Sequence, residues 1–180
     1  MNQKHIDPIA PRYTAISTKK ICTLVLLDGP YTAEPQPFEV PVHPKNAALG
    51  TRPLNRTNEL YIEYEDANTL QVGEKITLMK WGNAVIASIE PQGDGLLLKA
   101  NLKEDDKDFK STKKINWLAK PNLVKVNLVE YDHLLTVDKV DENMDFETVI
   151  NPNSKFVTEA LADPLVRTLK KCNFHHLLTI

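Results

Sequence analysis

With 180 residues, 42% hydrophobic and 26% charged, the chain can bury a core without crosslinks and is not disordered throughout. Its formal net charge of −2 excludes the broadly basic surface of a typical nucleic-acid binder, so any such site must be a local patch. Cys22 and Cys172, the two cysteines, stand far apart and fit a reduced cytosolic setting. No apolar run reaches the roughly 18 residues of a membrane span, and the polar N-terminus lacks a signal peptide's apolar core.

Short apolar stretches broken by Pro, Gly and Asn dominate the chain, and twelve prolines argue against long helices. The first strand is expected at 21–27, ended by Asp28-Gly29-Pro30. Residues 33–44 carry Pro35, Pro37, Pro41 and Pro44 and read as an extended connection or edge strand. Leu60, Ile62 and Tyr64 alternate with Tyr61 and Glu63, a half-buried strand. Ile76 and Leu78 face one way, with Thr77, Met79 and Trp81 facing the other, before a tight turn at Gly82-Asn83. A strand over 84–89, a hairpin turn at Gly93-Asp94-Gly95 and a strand over 96–102 follow. Residues 103–110 read as a charged, solvated loop. Residues 113–118 return to strand, with Ile115 and Trp117 on one face, so that Trp117 reads as core. After the Pro121-Asn122 boundary, Val124, Val126 and Leu128 mark one more strand, and beyond Asp132 the pattern weakens. Asp163-Pro164 is a helix start, Asp as N-cap and Pro at the first position. Many short strands at near-regular spacing predict a barrel or sandwich.

No catalytic constellation is visible. The histidines His5, His43, His133, His175 and His176 lack metal-ligand spacing, so no metal is expected. There is no Gly-x-Ser-x-Gly elbow and no phosphate-binding glycine loop. Glu104, Asp105 and Asp106 lie among lysines as a solvated face, and Asp66 reads as a turn cap. Basic residues beside aromatic or polar ones are the better lead: Arg12 with Tyr13, Lys19-Lys20, the connection holding His43, Lys45 and Arg52, the run Lys80, Trp81 and Asn83, and Lys113-Lys114 near Trp117. Arg and Lys contact phosphates while aromatic faces stack on unpaired bases.

Three stretches carry a resemblance: Ile6-Asp7-Pro8-Ile9-Ala10-Pro11-Arg12-Tyr13-Thr14-Ala15; His43-Pro44-Lys45-Asn46 leading to Leu49-Gly50-Thr51-Arg52; and Leu78-Met79-Lys80-Trp81-Gly82-Asn83. Lys114-Ile115-Asn116-Trp117-Leu118-Ala119, Tyr131-Asp132-His133-Leu134 and Asp163-Pro164 followed by Leu169-Lys170-Lys171 agree in order. Together they resemble the anticodon-binding region of class I glutamyl-/glutaminyl-tRNA synthetases, eukaryotic cytosolic glutamyl type.

The resemblance implies an all-β fold of two successive β-barrels, ribosomal-protein-like anticodon-binding barrels, the second truncated. Residues 1–11 would be a linker from a missing catalytic part, 12–120 the first barrel and 121–180 an incomplete second one, less stable than the first. It implies a tRNA partner gripped at the anticodon stem-loop, with Arg12, His43, Lys45, Arg52, Lys80, Trp81, Asn83 and Lys113 as binding residues. It implies no catalysis by this chain alone and no cofactor here, ATP being used by the catalytic domain of an ATP-dependent glutamate–tRNA ligase. A cytoplasmic location and synthetase-complex proteins as further partners complete the picture. The alternatives are the equivalent glutaminyl region, a protein-interaction module, or a ribosomal-RNA-binding barrel.

Overall fold

The computed structural model describes residues 12–139, 141–142, 144–169 and, as backbone, 176–178. The 1–11 linker, the Ile6–Pro11 part of the first motif, Lys170, Lys171 and the residues from Cys172 to His175 lie outside the described residues. In chain order the strands are β1 (Arg12–Ser17), β2 (Cys22–Leu26), β3 (Gln36–Pro41), β4 (Thr51–Arg56), β5 (Glu59–Ile62), β6 (Lys75–Leu78), β7 (Gly82–Gln92), β8 (Gly95–Lys103), β9 (Lys113–Ile115), β10 (Leu118–Ala119), β11 (Val124–Tyr131), β12 (Lys155–Ala162) and β13 (His176–Leu178). Two single-turn helices, α1 (Tyr64–Ala67) and α2 (Phe146–Val149), and two 3-10 turns interrupt them. The fold is all-β, as expected.

Seven strands form one sheet in the order β10-β5-β2-β8-β7-β6-β9. β9 and β10 occupy opposite edges, yet only Asn116 and Trp117 separate them in sequence. The sheet must therefore curl until its edges meet, which removes exposed edges. Its interior is filled by side chains that alternate inward along each strand, among them Leu24, Leu60, Ile62, Ile76, Leu78, Ile86, Leu98 and Ile115, all fully buried. Each such side chain contributes on the order of 2 kcal/mol of transfer free energy. Trp117 is buried as its alternation implied, and its indole N–H donates to the Met79 carbonyl at 2.9 Å. The β7–β8 hairpin turns on Gly93 (φ +60°) and Asp94, a two-residue loop that needs positive φ. Gly95 then passes so close to β2 that a Cβ would collide with the Ile21 carbonyl.

A second sheet runs β11-β12-β1-β13, and β3 and β4 form a separate hairpin. β1 opens the described chain but pairs with β12, Ala15 opposite Ala162. By hydrogen bonding, β1 thus joins a sheet built mainly from the last third of the chain. That sheet has a small core of Ala15, Leu128, Ala160 and Ala162, with Val126 and Val166 against it.

The structure corrects several expectations. The turn after β6 lies at Met79–Trp81 rather than at Gly82-Asn83, which begin β7. Lys80 takes the left-handed conformation (φ +65°) instead of a glycine. The expected single strand over 113–118 is divided between the two sheet edges. Asp66 caps through its main-chain carbonyl, which accepts the Thr69 amide and hydroxyl, while its Oδ2 is buried without a hydrogen-bond partner. Asp163 does cap with its side chain, accepting the Leu165 amide at 2.9 Å, but the turn it starts is a 3-10 turn of five residues. The 103–110 loop is charged and largely exposed, as expected, but it is also anchored. Asn83 Nδ2 donates to the carbonyls of Asp106 and Asp108 at 3.2 and 3.0 Å, and Lys75 pairs with both carboxylates.

That loop yields a pH prediction. Ser111 and Lys75 hydrogen-bond the Asp108 carboxylate and hold its pKa down to about 2. A depressed folded-state value means that the stabilisation is full above the ordinary carboxylate pKa and is lost as pH falls toward about 2. An NMR titration should find Asp108 titrating near 2 together with loosening of 103–112; an ordinary midpoint near 3.8 would refute this anchoring.

Candidate nucleic-acid interface

Three separate elements converge on one cleft. β1 begins with Arg12, the β3–β4 hairpin supplies Arg52 and Leu54, and the β6–β7 turn supplies Met79 and Lys80. Asn116 and Trp117, from the link between β9 and β10, form the remaining wall of a cavity of about 140 Å³. The hairpin can deliver Arg52 because Pro37, Pro41 and Pro53 keep it extended. Residues 42–50 loop back tightly, the Val42 amide bonding the Gly50 carbonyl at 3.0 Å.

Arg52 is buried and fully committed at its fork. Nη1 donates to Asp163 Oδ2 at 2.7 Å, Nη2 donates to the Arg12 carbonyl at 3.1 Å, and the guanidinium lies 4.9 Å from the Tyr13 ring centre. This contact ties the hairpin to β1 and to the end of β12. Lys80 stands opposite. Burial of its ammonium end, and then the nearby positive charges of Arg52 and Arg12, push its pKa down, with Asp163 partly offsetting them. Much of the Lys80 side chain is nevertheless exposed, because the cleft opens to water on one side. Among the described residues, the cleft therefore gathers three cations near the Asp163 carboxylate, which Arg52 already occupies. Clustered cationic donors in a concave, apolar-walled site are suited to an anion.

Three of the residues singled out in sequence, Arg12, Arg52 and Lys80, are thus brought together; the others stand differently. His43 is buried beside the cleft's Pro44, its Nδ1 accepting the Lys45 amide at 3.1 Å while Nε2 has no hydrogen-bond partner among the described residues. Lys45 is exposed. Trp81 is half-buried in an aromatic group, 4.8 Å from Tyr31 and 4.9 Å from Trp117 between ring centres, and its indole donates to Glu104. Asn83 is wholly buried with its amide engaged on both sides, accepting from Thr77 and donating to the 103–110 loop. A ligand would reach it only after that loop left. Lys113 is held by Glu74 at 2.8 Å and by the Thr69 carbonyl, apart from the cleft.

Sequence reasoning missed two residues. Asn116 was read only as part of a motif. Arg56 lies 3.8 Å over Phe38 and donates to Tyr31 at 3.3 Å, closing the aromatic group. The period-two row Arg52, Leu54, Arg56 in β4 carried that signal, since alternate residues share a face.

Residues 10–104 match the family model of the class I (E and Q) tRNA synthetase anti-codon binding domain, and residues 114–174 match a second model of the same description. The chain belongs to this family. It is 39% identical over 171 residues to the cytoplasmic glutamate–tRNA ligase of Saccharomyces cerevisiae, covering 94% of this chain and 23% of that protein. It is 38% identical over 175 residues to the bifunctional glutamate/proline–tRNA ligase of Mus musculus, covering 94% and 11%. The Arabidopsis thaliana cytoplasmic glutamate–tRNA ligase is 35% identical over 173 residues, covering 94% and 24%. The chain thus spans about a tenth to a quarter of these relatives' length. Residues 105–113, between the two matched segments, include most of the loop that Asn83 holds.

Lys80 supplies the sharpest test of the cleft. A positive φ on a non-glycine residue costs on the order of 1 kcal/mol, and two like charges add to that. Lys80→Gly should leave the fold as stable or raise its stability by about 1 kcal/mol in urea denaturation, while weakening binding of single-stranded or looped RNA several-fold. Loss of stability together with unchanged binding would show that Lys80 serves the fold instead.

Proposed function

We propose that this chain is the tRNA anticodon-binding portion of a glutamate–tRNA ligase and holds the anticodon stem-loop at the Arg12–Arg52–Lys80 cleft. The observation that carries the reading is the gathering of these cations from three elements, at the expense of a strained, partly desolvated lysine. In this reading Arg12 and Lys80 contact RNA, Arg52 positions Arg12 through its carbonyl, and Lys45 extends the basic rim. Asn116 offers an amide to a splayed base, a mode expected for looped RNA, while the buried Trp117 backs the cleft wall. His43, Trp81 and Asn83 support the cleft rather than touch RNA, and Lys113 contributes from outside it. The names of the relatives support glutamate as the amino acid and the cytoplasm as the location.

The chain alone performs no aminoacylation in this reading, and ATP is used by another part of the full-length ligase. The mouse relative joins two ligase activities in one chain, as its name says, which supports other synthetases as further partners.

Equilibrium binding of the purified chain to a glutamate tRNA transcript, beside one with its anticodon bases replaced, tests the reading. We expect preference for the native anticodon, affinity falling steeply with salt, and roughly a tenfold loss on Arg12→Ala, with the salt slope shallower by about one. Equal binding to both transcripts, or a flat salt response, would overturn it.

A further inference from the structure

Among the described residues, eight of the twelve exposed large hydrophobic side chains lie between residues 129 and 157. This is the far end of the β11–β12 ribbon and the connection beyond it, remote in sequence from the basic cleft. Val129 is 43% exposed, Val157 55% and Tyr131 73%. Contiguous exposed apolar surface is a feature of docking sites, and here Val129 stands directly opposite Val157 on neighbouring strands. β11 is also the outermost strand of its sheet, with no strand on its other side among the described residues. Its eight residues hold one lysine and no proline, so the usual protections of an open edge are thin.

The register says what would fit there. Val129 pairs with Val157 and Tyr131 with Lys155, on one face. Glu130 pairs with Phe156 on the other face, beyond the buried Leu128. A strand added alongside would place alternate residues beside Val129 and Tyr131, and the intervening ones beside Glu130. Charge chooses between occupants. Residues 129–157 carry seven carboxylates against Lys139 and Lys155, a net of −5, while the remainder of the chain carries a net of +3. RNA would be repelled here, and a second copy would bring its own −5 to the same edge. A cationic polypeptide would be attracted.

We propose that the outer edge of β11 is a strand-addition site for an extended segment of a partner protein in which apolar residues alternate with Lys or Arg. Main-chain hydrogen bonds would supply affinity and the alternating faces specificity. This inference stands apart from the RNA reading, since it uses none of the cleft residues.

The test uses the full chain and a fluorescent nonapeptide of alternating Lys and Val, compared with an alternating Glu and Val peptide and with oligouridylate. Anisotropy should show the Lys–Val peptide binding at least roughly tenfold more tightly than the Glu–Val peptide. Hydrogen exchange should show new protection confined to β11. Glu130→Lys should weaken binding by about tenfold, and Val129→Ser by a few-fold, with circular dichroism unchanged. Equal binding of the two peptides, or protection elsewhere than β11, would overturn the proposal. So would oligouridylate competing at this edge. Sedimentation showing micromolar self-association, abolished by Val129→Lys, would assign the edge to a second copy instead.

Discussion

The fold hangs on the contact between Arg52 and Asp163, 111 residues apart in sequence and 2.7 Å apart in space. Asp163 caps the turn after β12, donates its amide to the Thr14 carbonyl at 3.1 Å and neutralises Arg52. Arg52 in turn holds the Arg12 carbonyl. β1 is therefore gripped along its length, and at its far end the Ser17 amide donates to the buried Glu63 at 2.8 Å. Through these bonds β1 joins the seven-stranded sheet, the hairpin and the four-stranded sheet. A well-packed apolar substitute could match a buried ion pair in stability. It would not fix the direction of a guanidinium fork, and that direction sets where Arg12 begins. Removing one partner is a different matter: Arg52→Met would strand Asp163 in a dry site and should cost about 3–5 kcal/mol in urea denaturation, whereas a loss below about 1 kcal/mol would show that the sheets are joined by other contacts.

Around the cleft, His43 Nε2 and Arg52 Nε are buried without a hydrogen-bond partner among the described residues, and Lys80 adds a strained backbone to a desolvated charge. Trp117, Trp81 and Asn83 each sit where their polar atoms are satisfied. Lys80 combines positive φ with a depressed ammonium pKa next to two guanidiniums. Local conflicts of this kind concentrate where a ligand completes the site. A bound phosphate would reverse the sign of the electrostatic conflict and draw the Lys80 pKa back up. In the proposed reading, the unfavourable arrangement in the free chain would be the preorganised form of a favourable one.

The sequence revealed the strands whose side chains pack on both faces or alternate cleanly. β2, β5, β8 and β11 were legible for that reason, and the Gly93-Asp94 hairpin because its backbone demands it. β1 and β12 were not. Their buried positions are largely alanine, Ala15, Ala160 and Ala162, which carries little hydrophobic contrast, and β12 keeps several exposed residues. The turn at Lys80 was placed three residues late because glycine and asparagine are the usual turn formers, yet here Asn83 is needed inside to hold the 103–110 loop. The convergence of Arg12, Arg52 and Lys80 was suggested by residue type and by family resemblance. That Arg52 is buried and bonded was not, since residue type alone does not show contacts.

A net charge of −2 argued against nucleic acid at the level of composition, and the structure shows why that argument had little force. Opposite charges separated by more than a Debye length of about 8 Å at physiological salt do not cancel each other's local field. The acidic residues beyond β11 and the cations around the cleft lie on different elements, so each region presents its own sign to its surroundings. Averaging them into one number erases the property that matters for recognition. On the two proposals, the cleft would attract a polyanion and the β11 edge a cationic strand, with neither interaction visible in the overall charge.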